Sequence, residues 1–230
     1  RKGCRRILLF PLYPQYAAAT TASTFDAVFA ALSRRRFVPE LRTIASYHDD
    51  PLYIGALARS VREAWREGEP ERLLLSFHGI PKRYFEAGDP YYCHCQKTAR
   101  LLAEELGLAR ERWFVTFQSR FGREEWLKPY TDETLRSWTD VKSVDVLCPG
   151  FSADCLETIE EIDQQNREFF EEASGGRFRY IAALNDRDDH AAALAAIAAR
   201  HLEGWAVPRE AWDEAKARAD AEASKRRADA

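Results

Sequence analysis

Short β-rich runs alternate with longer amphipathic ones along this 230-residue chain. Strands are predicted at 6–10, 41–47, 73–77, 113–117, 143–147 and 178–182. Between and after them the helical patterns fall at 20–32, 52–67, 95–106, 132–138, 153–170 and 190–201. Strands spaced by helices of this size need crossover connections, and those build parallel sheets with helices on their faces. The run Leu73-Leu74-Leu75 lacks polar alternation, as a strand buried on both faces requires. Pro11 and Pro14 close the first strand, and Gly68 and Pro70 stop the second helix. The polar stretch 67–71 is the predicted boundary between two layered units. A final Ala-, Lys-, Arg- and Glu-rich stretch, 211–227, reads as an exposed or docking helix.

Composition narrows the functions open to an α/β chain. Lys and Arg number 34 against 37 Asp and Glu, a net charge of −3, so no dominant basic face is available for nucleic acid. No apolar run approaches the roughly 20 residues of a bilayer-spanning helix. Five cysteines at irregular spacing form no disulfide framework and suit a reducing compartment. Arg34-Arg35-Arg36 reads first as a solvated turn and second as a membrane or partner contact. The chain contains no Met, and an apolar strand starts a few residues after Arg1, so we expect a processed or truncated chain.

Open α/β sheets bind ligands beyond the carboxyl ends of their strands, which directs attention to the segments after Phe10, Phe77, Phe117 and Leu147. None is a GxxxxGK[ST] phosphate loop, a GxGxxG fingerprint or a GxSxG nucleophile elbow. His78 follows the third strand directly, and Gly79 after it allows close approach. An imidazole there can accept a proton or bind a borderline metal, or simply hydrogen-bond across its loop. Asp154, Glu157 and Glu161 recur at i, i+3 and i+7 of the predicted 153–170 helix, an acidic line on one side. Such a line can attract a dication or relay protons; a solvated helix face is the alternative. Cys93-His94-Cys95 has too few nearby partners for a closed metal site and reads as free loop thiols. Tyr13, Tyr16, Tyr91, Tyr92, Phe121, Trp126, Tyr130 and Phe151 crowd the same segments, with Arg120, Arg123 and Lys128 among them. That mixture would line a large flat ligand with carboxylate tails, or pack a domain interface.

Five blocks in order carry a family resemblance. They are Pro11-Leu12-Tyr13-Pro14-Gln15-Tyr16 with Thr20-Thr21, and Ser76-Phe77-His78-Gly79-Ile80-Pro81 with Gly88-Asp89-Pro90-Tyr91. Next come Phe117-Gln118-Ser119-Arg120-Phe121-Gly122 with Trp126-Leu127, and the run from Cys148 through Phe151, Asp154, Cys155 and Glu157 to Glu161. Leu184-Asn185-Asp186 is the fifth. Together they resemble the ferrochelatases, in their bacterial form, over residues 7 to about 202.

The resemblance implies a three-layer, chelatase-like fold of two Rossmann-like domains with parallel sheets and the porphyrin between them. The first domain is incomplete here: 1–68 would be its trailing part, 69–190 the second domain, and 191–230 a helical segment packing back on the first. It implies insertion of Fe(II) into protoporphyrin IX to give protoheme, a lyase reaction at the last step of heme synthesis. A chelatase for another tetrapyrrole such as coproporphyrin, and a porphyrin- or heme-binding protein without catalysis, are the alternatives. His78 and Glu157 correspond to the family's catalytic and metal-handling residues, Asp154 and Glu161 to its proton or metal path, and Tyr13, Trp126 and Phe151 to porphyrin contacts. Fe(II) and protoporphyrin are then substrates, no cofactor is permanently bound and no nucleic acid is a partner. The complete protein is expected to be a cytoplasmic monomer, with a peripheral contact at the inner membrane face admitted. Three departures qualify the transfer. Family chains carry a longer stretch before the Pro11 block. Ala17-Ala18-Ala19 stands where some relatives place a cysteine, and no Cys follows Cys155, so no iron–sulfur cluster is expected. Cys155 stands where many relatives have His.

Overall fold

The computed structural model describes residues 4–205 and 213–228. The first strand, β1 (Arg6–Leu9), pairs in parallel with β2 (Glu40–Thr43), with Leu8 opposite Arg42. The other strands are β3 (Arg72–His78), β4 (Trp113–Gln118), β5 (Ser143–Leu147) and β6 (Arg177–Ile181). They form one all-parallel sheet in the order β4-β3-β5-β6. The predicted strand 41–47 is shorter than expected for a simple reason. Ile44 N–H still reaches the Leu9 carbonyl (2.9 Å), but Pro11 offers no N–H to continue the ladder.

The helices are α1 (Ser23–Ser33), α2 (Pro51–Ala64), α3 (Lys82–Glu86), α4 (Tyr91–Leu106), α5 (Thr131–Ser137), α6 (Arg167–Ser174), α7 (Asp188–His201) and α8 (Glu214–Ala228). Strand β3 shows how they cover both faces of the four-stranded sheet. Leu73, Leu75 and Phe77 join one buried cluster with Tyr53 and Leu57 of α2, Leu102 of α4 and Ile197 of α7. Leu74, offset by one residue, belongs to the opposite cluster with Val146, Leu135 of α5 and Phe170 of α6. A period of two with apolar residues in both phases is what a central strand of a three-layer α/β sandwich needs.

Two helix predictions change. The helix expected at 95–106 starts at Tyr91, because the Asp89 carboxylate accepts its N–H (3.0 Å) and Pro90 needs no partner at the helix start. Cys93 and Cys95 therefore lie on a helix rather than a loop, Cys93 exposed and Cys95 buried. The helix expected at 153–170 is a π-helix, Glu157–Asn166, running into α6. Asp154 precedes it, so the three acids do not share one helix. The Asn166 amide donates to the Glu161 carbonyl (2.7 Å), satisfying an oxygen within the wider turn.

Helix α7 packs on α2, joined by Arg59 to Asp189 (2.8 Å) and Arg187 to Glu63 (2.7 Å). Arg42 donates to the carbonyls of His201 and Glu203 (2.7 Å each), and the Trp205 indole donates to Glu40 (2.6 Å). Of the predicted helix 211–227, residues 211 and 212 lie outside the described residues, and α8 has no buried side chain.

Candidate active site

The chain leaves β3 for β4 on one side and returns as β5 on the other, which makes the gap between β3 and β5 the topological switch point of the sheet. The loops beyond those two strands carry His78 and the Phe151–Glu157 segment. His78 is the last residue of β3, half-buried, and its Nδ1 lies 2.7 Å from the Gly79 carbonyl. A carbonyl only accepts, so Nδ1 bears a hydrogen and Nε2 is the ring nitrogen left to exchange a proton or meet a metal. Gly79 is required here: a Cβ would come within 2.8 Å of the Gln118 carbonyl and 3.1 Å of the Trp126 ring.

Glu157 opens the π-helix within electrostatic reach of His78. A hydrogen bond from the Cys155 thiol and its own N–H hold the Glu157 carboxyl below the usual range, and a protonated His78 would act in the same sense. Glu157 is therefore an anion at neutral pH. Burial, and the acceptor beside it, push the Cys155 thiol up, so Cys155 stays a protonated donor.

The other two acids diverge. Asp154 accepts from the Tyr180 hydroxyl (2.6 Å), the Asn185 amide (2.7 Å), the Thr158 hydroxyl (3.0 Å) and the Ala183 N–H (3.2 Å). Burial works to raise its pKa, but these bonds outweigh it and leave it lowered. Its carboxylate is occupied in tying the β5 loop to the end of β6. Glu161 turns the other way, toward β4, and accepts from the Ser119 N–H (2.6 Å), the Ser119 hydroxyl and the Gln118 amide (3.4 Å). Ser119 adopts φ +64 to present that N–H, a left-handed conformation that non-glycine residues rarely take.

Phe151 lies beside His78, ring centroids 6.5 Å apart. Trp126 is buried behind Gly79, its indole N–H without a hydrogen-bond partner, and it carries Phe121 on its ring at 4.9 Å. Tyr13 is exposed on the loop after β1; the Ser152 hydroxyl donates to the carbonyl of its neighbour Leu12 (2.7 Å). His78 and Phe151 thus lie side by side with Glu157 within electrostatic reach of the imidazole, Trp126 packs against Gly79, and Tyr13 is exposed on the β1 loop. Two apolar residues of these segments, Phe121 beside Trp126 and Leu156 directly before Glu157, are 74% and 69% exposed. Cys93 and Cys95 do not join the site. Among the described residues no group of three or more His, Cys, Asp and Glu side chains is arranged to hold a metal ion. Sequence reasoning does not single out Gln118, Ser119 or Ser76 as site residues. The signal that could find them is polarity in otherwise apolar, buried strands.

The fold recurs among solved structures. SirB from Bacillus subtilis, solved with Fe3+, superposes with a TM-score of 0.65 at 12% identity, over 88% of this chain and 73% of that one. CbiX, the terminal enzyme of siroheme biosynthesis in denitrifying bacteria, gives 0.58 at 16% identity, over 88% and 78%. At such identities the likeness concerns the fold. The ferrochelatase family model matches residues 1–202, and the chain belongs to the ferrochelatase family. It is 59% identical over 208 residues to the ferrochelatase of Nitrosococcus oceani, covering 89% of this chain and 56% of that one. Against that of Thioalkalivibrio sulfidiphilus it is 55% identical over 229 residues, covering 98% and 62%. The chain thus spans a little over half the length of these relatives.

Proposed function

We propose that the complete protein to which this chain belongs inserts Fe(II) into protoporphyrin IX to form protoheme. His78 and Glu157 would be its catalytic pair. The observation that carries the reading is the pairing of the His78 imidazole, its Nδ1 tied to the Gly79 carbonyl, with an ionised Glu157 at the sheet's switch point. Metallation removes two pyrrole protons and brings in a dication. A neutral imidazole accepts protons near neutral pH, and a fixed anion stabilises the entering positive charge. Two protein donors leave coordination positions free on a dication, so the ion can pass to the macrocycle instead of staying caged. Glu161, four residues on, extends the negative charge toward β4 and is the proposed path residue. Asp154, with its four donors, serves better as the anchor of the loop. Phe151, Trp126 and Tyr13 would contact the porphyrin.

No helix among the described residues is long and apolar enough to cross a membrane. The reading adds a cytoplasmic monomer that meets the membrane, if at all, from its inner face. The test uses the complete gene product with Fe(II) or Zn(II), with protoporphyrin and coproporphyrin compared side by side. His78→Ala and Glu157→Gln are each expected to lower kcat by at least about 100-fold, the range of general acid–base contributions. Normal turnover by both variants would refute the assignment. Tight porphyrin binding without metal insertion by the unaltered protein would make it a binding protein.

A further inference from the structure

Gln118 is the last residue of β4, directly opposite His78 in the β3–β4 register, and is 3% exposed. It makes contacts in two directions. Its main-chain carbonyl accepts the N–H of Gly79 (2.7 Å), the residue that follows His78. Its side-chain amide donates to the main-chain carbonyl of Glu157 (2.8 Å) and, at longer range, to the Glu161 carboxylate (3.4 Å). A single residue thereby joins the backbone carrying the imidazole to the backbone carrying the carboxylate.

Its neighbours fix which way the amide points. Oε1 accepts from the Ser76 hydroxyl (2.8 Å) and from the Cys148 thiol (3.6 Å). Ser76 is in turn hydrogen-bonded to Thr131 (2.9 Å), which donates to Thr116 (2.9 Å). Ser76, Thr116 and Thr131 are all buried. A flipped amide would set Oε1 against a carbonyl and a carboxylate, two oxygens that cannot donate. Buried polar groups left without partners cost about 1–3 kcal/mol each, so a fully satisfied network holds one arrangement. The chain passes this constraint to His78 through Gly79, where the approach of the Gln118 carbonyl leaves no room for a Cβ.

We infer that Gln118 is a positioning residue that sets the separation and orientation of His78 and Glu157. The inference rests on the proposed roles of those two residues. It goes beyond them by naming the group on which their relative placement depends. A catalytic pair must be held to within a fraction of an ångström, and a displacement of about 1 Å costs on the order of 100-fold in rate.

The experiment compares Gln118→Met, Gln118→Glu and Glu157→Gln in the complete gene product. Metal insertion into protoporphyrin gives kcat, KM and the pH profile of kcat/KM, and thermal unfolding monitors the fold. Gln118→Met keeps the side-chain length without the amide. It is expected to lower kcat by roughly 10- to 100-fold while KM for the porphyrin stays within about twofold, the pattern of an interaction that acts on chemistry and not on binding. Gln118→Glu adds a carboxylate beside Glu157 and Glu161, and is expected to move the acid limb of kcat/KM up by about one pH unit. Wild-type kcat with Gln118→Met, an unmoved acid limb with Gln118→Glu, or failure of both to fold would overturn the inference. Full turnover by Glu157→Gln would instead refute the underlying site. An inactive Glu157→Gln beside a fully active Gln118→Met would refute the role of Gln118 alone.

Discussion

His48 and His94 stack face to face, ring centroids 3.7 Å apart and planes within 8°. His48 lies in the loop before α2 and His94 on α4, while His94 Nδ1 accepts the N–H of Tyr16 (3.1 Å). The stack thus joins three segments. Burial pushes His48 down from 6.5 to about 4; His94 and Lys97 add to this, and Asp49, 3.9 Å away, opposes it. Burial also lowers His94, with Asp49 and Asp89 opposing and Lys97 assisting. Both rings are therefore neutral when the protein is folded at neutral pH. In the unfolded chain His48 takes up a proton below about 6.5, whereas the folded state refuses it until about 4. The contribution of the neutral ring is complete above the unfolded value and is lost as pH falls from 6.5 toward 4. In full the difference is worth about 3 kcal/mol, at about 1.4 kcal/mol per pH unit. By pH 5 the loss relative to pH 7 is about 2 kcal/mol. Urea unfolding at both pH values, on the wild type and on His48→Phe, isolates this amount, because the variant keeps an aromatic ring and cannot titrate. The wild type should lose about 2 kcal/mol more than the variant between pH 7 and pH 5. Equal losses would show that His48 does not stay neutral in the folded protein.

Two other perturbations have defined signs. Asp145 is fully buried and accepts from the Arg179 guanidinium (2.5 and 3.0 Å) and the Trp65 indole (2.9 Å). Asp145→Ala leaves the guanidinium without its buried partner and should lower unfolding stability by about 3–5 kcal/mol in denaturant titrations. Cys155→Ala removes the thiol donor that lowers Glu157, so the Glu157 pKa rises. Because the proposed chemistry needs the anion, the acid limb of kcat/KM should move to higher pH while the alkaline limb stays in place.

The strands that build the site are legible because their signal is local. Leu73, Leu74 and Leu75 are all buried, and the imidazole of His78 stands where such a run must end, at the sheet's carboxyl edge. The acidic segment is less legible, for two physical reasons. Over ten residues, acids four apart fall on nearly the same side at 3.6 residues per turn and in the wider π turn, so spacing does not separate the two helices. The partners that draw Asp154 away from Glu161 are Tyr180 and Asn185, distant in sequence and adjacent only once β6 lies beside β5. The start of α4 is hidden by composition. Tyr91, Tyr92, Cys93 and His94 are weak helix formers, and the side chain of Asp89 and the ring of Pro90 supply the start signal. The polarity of Gln118 in a buried apolar strand marks it as unusual, but its role lies in its partners, Gly79 after β3 and Glu157 on the π-helix, which are distant in sequence.

The site divides into parts held by different forces. Around the strand ends, Leu12, Tyr13, Phe121 and Leu156 present large apolar side chains to solvent. Exposed apolar side chains at the ends of a sheet's strands offer surface that a ligand can cover, at about 25 cal/mol per Å² removed from water. Area-proportional attraction of this kind is tolerant of small displacements and suits a broad, flat ligand. Beneath it, His78 and Glu157 are held by short directional bonds through Gly79, Gln118, Ser76 and Cys155, mostly among buried atoms. Such bonds weaken steeply with angle and distance and so tolerate little movement. On the proposed reading, a porphyrin held by these apolar side chains shifts by fractions of an ångström at small energetic cost, while the imidazole and carboxylate keep their separation. Binding energy spread over that apolar surface is then available to bring a ligand's reacting atoms to a fixed pair of groups, as the proposed metallation requires.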